Sequence, residues 1–94
     1  MPQFRIPGPL RSLSAGASTV EVQAADLRSA IDALDEQYPG FRARLLDDQG
    51  RPRQFVNLFL NDEDVRLGAG LDSKLEAKDE IAIVPAVAGG RGEG

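Results

Sequence analysis

The sequence predicts a two-layer α+β domain, with one amphipathic helix lying on one face of a mixed sheet. Three observations carry this. Apolar and polar residues alternate near both ends of the chain, over residues 4–6 and 80–84. A single apolar stripe of helical period runs from Leu27 to Tyr38. The best strand pattern in the chain, residues 55–60, comes after that helix.

In chain order, Phe4 and Ile6 alternate with Gln3 and Arg5, predicting a first strand stopped by Pro7-Gly8-Pro9. Residues 10–17, rich in Ser, Ala and Gly, read as a loop. Alternation resumes over residues 19–23, a second strand expected antiparallel to the first. In the helix, Leu27, Ala30, Ile31, Leu34 and Tyr38 share one face, Asp26 is placed to cap the N-terminus, and Pro39-Gly40 ends it. Phe41, Leu45 and Leu46 predict a further short turn packed on the core, followed by a polar loop over residues 47–52.

Within residues 55–60, Val56, Leu58 and Leu60 fall on one face and Phe55, Asn57 and Phe59 on the other. Asn61-Asp62-Glu63-Asp64 reads as the turn, Val65-Arg66-Leu67 as a short returning strand, and residues 71–75 as a helical turn. The last strand is expected over residues 80–84, closed by Pro85. This order of elements is that of the β-grasp. The domain is expected to occupy residues 1–87, with a Gly-rich tail over residues 88–94.

Composition excludes several function classes. With 94 residues, 41% hydrophobic and 28% charged, the chain makes one ordinary globular domain. It has no Cys and no His, which removes disulfides, thiol nucleophiles, Ser-His-type triads and zinc sites built on imidazole or thiolate. A net charge of −4 argues against nucleic-acid binding. Arg42, Arg44, Arg51 and Arg53 do cluster, but Asp47 and Asp48 sit among them. No apolar run reaches the roughly 20 residues of a membrane span, and the N-terminus lacks a signal-peptide layout, so a cytoplasmic location is expected. Asp62, Glu63 and Asp64 depart from an EF-hand, having Arg66 at the fifth position and Leu67 at the sixth. No cofactor is expected, and the chain reads as a substrate or partner of enzymes.

The remaining feature is Gly89-Gly90. Ten glycines make about one such pair expected by chance, so position is what matters. The pair follows the last strand and a proline stop, inside a run without large side chains. Such a tail can thread a narrow channel, because glycine has no Cβ to obstruct it.

The stretch from Phe55 to Arg66, with Asp79-Glu80-Ile81-Ala82-Ile83-Val84-Pro85-Ala86-Val87-Ala88-Gly89-Gly90, resembles the ThiS/MoaD-type ubiquitin-like sulfur carriers, and within them the CysO subgroup of an actinobacterial cysteine pathway. The resemblance implies that a ubiquitin-activating-type adenylyltransferase uses ATP to adenylate Gly90. A sulfur donor then leaves a thiocarboxylate there, and a sulfur-accepting synthase takes the sulfur. It makes Gly89 and Gly90 the reactive end, with Val87 and Ala88 as partner-binding residues ahead of them. Independently of the resemblance, Phe59 lies on the strand face opposite Val56, Leu58 and Leu60 and reads as an outward aromatic that binds a partner, with Arg66 as its polar neighbour; the alternative is that residues 10–17 cover it. A molybdopterin synthase small subunit, a ubiquitin-like protein modifier and a bare interaction domain remain open. The chain departs from the family by continuing through Arg91-Gly92-Glu93-Gly94, so Gly90 is tied in an amide. Three readings fit this: a metallopeptidase removes those residues, the tail is an appended one, or the carrier role is lost.

Overall fold

The computed structural model describes residues 1–85. The strands are β1 (Gln3–Arg5), β2 (Thr19–Glu21), β3 (Val56–Leu60), β4 (Glu63–Asp64) and β5 (Glu80–Pro85); the helices are α1 (Leu27–Gln37) and α2 (Phe41–Leu45). Single 3₁₀ turns lie at Gly8–Leu10, Val65–Leu67 and Gly70–Asp72. The sheet order is β2-β1-β5-β3-β4. β1 and β5 pair in parallel at the centre, and the other neighbours are antiparallel. This mixed five-stranded sheet with one main helix is the expected ubiquitin-like β-grasp.

Each element forms for a local reason. In α1, Leu27, Ala30, Ile31 and Leu34 are buried on one stripe, while Arg28, Asp32 and Glu36 face solvent. Burying each of the larger side chains contributes about 1.5–3 kcal/mol. Asp26 is the N-cap, its carboxylate accepting from the Ser29 N–H at 2.8 Å. At the far end Gly40 adopts φ +115°, a conformation that disfavours any side chain, and Leu13 packs against this bend. Asp35 Oδ1 accepts from the Gly40 and Arg42 N–H groups, tying α1 to the start of α2. Phe41, Leu45 and Leu46 are buried, as their pattern predicts.

The core lies between α1 and the inward sheet face: Phe4, Ile6, Val20, Val22, Val56, Leu58, Ile81 and Ile83 meet the helix stripe there. Residues 10–17 are less of a loose loop than expected. They make consecutive tight turns in which Leu10 enters the core, and the buried Ser14 hydroxyl donates to the Ala17 carbonyl at 2.8 Å.

Several expectations are corrected. The turn after β3 takes only two residues, Asn61 and Asp62, both at positive φ (50° and 72°), so the returning strand is Glu63–Asp64. Asn and Asp tolerate that conformation, and two such residues close an antiparallel hairpin. Val65–Leu67 is consequently a 3₁₀ turn instead of a strand, which explains why Val65 is buried while Leu67 is 83% exposed. Residues at i and i+2 of a strand would share a face. The helical turn expected over residues 71–75 is shorter and earlier, Gly70–Asp72. Past it the chain extends so that Lys74 bridges to Asp26. Phe55 lies outside β3 and is exposed. Pro85 is itself the last residue of β5, opposite Val56, at a strand end where its missing N–H is tolerated.

Candidate docking face and carrier tail

The tail leaves from β5, the middle strand of the sheet, held by β1 on one side and β3 on the other. A central strand is the most firmly held place from which to project a chain. The sequence-predicted residues Val87, Ala88, Gly89 and Gly90 lie outside the described residues.

The sheet face away from α1 is built by alternation, in rows set by the strand register. The middle row runs Thr19, Arg5, Ala82, Phe59, Asp64 from β2 to β4. One step toward the exit of β5, Val84 pairs with Asn57. One step the other way, Glu21, Gln3 and Glu80 stand in line. Phe59 is half-buried, with Ala82 and Asp64 across the sheet from it. The apolar side chains of residues 10–17 are committed elsewhere, Leu10 to the core and Leu13 beside Gly40. Val84 is 43% exposed, so Phe59, Ala82 and Val84 form a short apolar strip.

Arg66 is brought to this face but does more than neighbour Phe59. Its guanidinium donates to Asn57 Oδ1 at 2.8 Å and to the Arg53 and Val56 carbonyls at 2.9 Å each. It thereby fastens the 3₁₀ turn to the first residues of β3. The sequence reading missed this clamp, which only the shortened hairpin creates. On the other flank, Arg5, Pro7, Arg11, Thr19 and Val84 line an open groove. Arg11 Nε donates to the Ile6 carbonyl there at 3.0 Å.

At the opposite end of β5, Asp79 is buried beside the hairpin turn. Its carboxylate accepts from the Glu76 N–H at 2.7 Å and from Asn61 Nδ2 at 2.8 Å. The Glu76 backbone bond, and then the Asn61 side chain, hold its pKa below the usual carboxylate range. These contacts fix the strand end and leave no open site. Among the described residues no group of three or more Asp or Glu is placed to hold a metal ion, and no helix is long and apolar enough to cross a membrane.

Comparison with known proteins agrees with this geometry. The ThiS family matches residues 4–90. The sulfur carrier protein CysO of Mycobacterium tuberculosis is 39% identical over 87 residues, covering 90% of this chain and 94% of that protein. A chain in the crystal structure of the Amycolatopsis orientalis BexX/CysO complex superposes with a TM-score of 0.90 at 36% identity, covering 96% of this chain and all of that one. Small archaeal modifier protein 1 of Haloferax volcanii is 34% identical over 79 residues, 81% of this chain and 86% of that protein.

Proposed function

The chain belongs to the ThiS family, and from that membership we propose that it is a sulfur carrier whose working atom is the Gly90 carboxyl. The observation that carries this reading is where the family match stops. It ends at Gly90, five residues past the close of the central strand, and residues 91–94 lie beyond it. The likeness to CysO supports delivery to a biosynthetic enzyme of cysteine or another sulfur metabolite.

In the proposed cycle a metallopeptidase first hydrolyses the Gly90–Arg91 amide. The new carboxylate attacks the α-phosphorus of ATP on a ubiquitin-activating-type enzyme, and pyrophosphate leaves. A sulfide equivalent then attacks the acyl carbon and AMP departs, leaving a thiocarboxylate. The protein supplies no catalytic side chain; it is a co-substrate that presents its main-chain terminus. Its body docks through Phe59 and Arg66, while Val87, Ala88 and Gly89 thread the partner's channel.

The likeness to small archaeal modifier protein 1 supports a second reading, attachment of Gly90 to lysines of other proteins. Mass spectrometry of the protein from its native host separates the two. The carrier reading expects a mass of residues 1–90 with one oxygen replaced by sulfur. Conjugates to other proteins without that species would favour the modifier, and an intact chain throughout would refute both.

A further inference from the structure

The outward sheet face is electrically polarised along β5. At the exit end, Arg11 lines the groove beside Val84, and Arg66 sits over Asn57, the partner of Val84. Both guanidiniums bond to neutral acceptors, and among the described residues neither has a carboxylate within 4.0 Å, so their charge is uncompensated. At the other end stand Glu21 and Glu80. Glu21 has no cation within 4.0 Å among the described residues, and Glu80 has only Arg5, at 3.7 Å. In the middle row Arg5 is the partner of Glu80, and Asp64 stands three strands away from it on β4. The two ends are about 13–17 Å apart, four to five residues of strand. That exceeds the Debye length of about 8 Å at physiological salt, so a partner senses them as separate charges.

We propose that this polarity sets the direction in which the face docks on its activating enzyme. The partner surface it fits has acidic side chains at the mouth of the tail channel, opposite Arg11 and Arg66, and basic ones farther away, opposite Glu21 and Glu80. The apolar strip of Phe59, Ala82 and Val84 supplies contact area but is nearly symmetric end to end, so it cannot distinguish a docking that aims the tail into the channel from one turned by half a revolution. Charge can, because the reversed orientation sets like against like.

The inference rests on the carrier reading, and the test separates the two. Association of residues 1–90, the form that the proposed cycle activates, with the ubiquitin-activating-type enzyme of the same host is followed by stopped-flow at 0.1 M and 1 M salt. The variants are Arg11→Glu, Glu21→Lys and, as a control on the solvent face of α1, Glu36→Lys. Arg11→Glu and Glu21→Lys shift the net charge in opposite directions, yet both reverse one end of the polarity. Each is expected to slow association about three- to tenfold at low salt, with the difference gone at 1 M. Glu36→Lys makes the same charge change as Glu21→Lys off the face, and is expected not to slow association. Melting temperatures, with Arg11→Gln as the milder variant, show whether a slow rate reflects lost fold. The polarity is refuted if Glu21→Lys behaves like Glu36→Lys, or if a slowing persists unchanged at 1 M salt. The carrier reading fails with it if residues 1–90 of the parent sequence do not bind the enzyme at all.

Discussion

Asn61 and Asp79 hold two strand ends together through one side-chain contact, Nδ2 to Oδ1 at 2.8 Å. The same carboxamide accepts from the Glu80 N–H at 3.0 Å, and the Asn61 N–H donates to the Glu80 carbonyl at 2.9 Å. The β3–β4 hairpin turn is therefore bolted to the start of β5. Asn61→Ala removes both side-chain bonds, leaves a buried carboxylate oxygen short of a partner, and leaves an alanine at φ 50° without the hydrogen bonds that hold Asn in that conformation. Denaturant unfolding is expected to show a loss of about 1–3 kcal/mol. A variant as stable as the parent would show that the contact is incidental.

The same contact predicts a pH dependence. Asp79 has a folded-state pKa below its ordinary value of 3.8, so the folded state binds this proton less readily than the unfolded chain does. The resulting stabilisation is present above about pH 4 and is lost as pH falls through the folded pKa. Melting curves of the parent and Asp79→Asn should differ at pH 6–7 and converge on acidification below pH 4. A gap that stays constant to lower pH would assign the contribution elsewhere.

The contrast between legible and illegible parts has a physical basis. Leu27, Ala30, Ile31 and Leu34 were readable because a helix buries one face with a fixed period, and Asp26 because capping is a local interaction. The inward faces of β3 and β5 were readable by alternation. The hairpin was not, since Asn61-Asp62 lacks glycine and its left-handed geometry depends on the Asp79 and Glu80 contacts, which are remote in sequence. Shortening that turn by two residues is what sends Val65 inward and swings Arg66 across to Asn57. The end-to-end charge polarity was equally hidden, because it depends on strand order, which puts Glu21 and Glu80 on opposite sides of β1.

Phe59 and Leu34 should separate docking from stability. Leu34 is wholly buried, so Leu34→Ala is expected to cost about 2–5 kcal/mol. Half-buried Phe59, on the outward face, should cost clearly less on mutation to alanine while weakening binding to the activating enzyme at a temperature where both variants are folded. If Phe59→Ala proves as destabilising as Leu34→Ala and binds normally, Phe59 is a packing residue only.

Arg66 should affect both. Losing its bonds to Asn57, Arg53 and Val56 in Arg66→Ala is expected to lower stability by about 1 kcal/mol, or roughly 4–8 °C in melting temperature. Lysine keeps the charge but not the planar fork that reaches three acceptors, so Arg66→Lys should restore association rate more fully than melting temperature. Full thermal rescue by lysine would contradict the clamp.

The most direct measurement of the carrier account is ATP–pyrophosphate exchange with the host's activating enzyme, comparing residues 1–94 with residues 1–90. An amide oxygen at Gly90 is a far weaker nucleophile than a carboxylate, and Arg91 does not suit a channel shaped for glycine. Residues 91–94 add up to about 13 Å of extended chain beyond the point at which the family match ends. The account predicts rapid exchange with the 90-residue chain and little or none with the 94-residue chain; equal rates for the two, or an inert 90-residue chain, would contradict it.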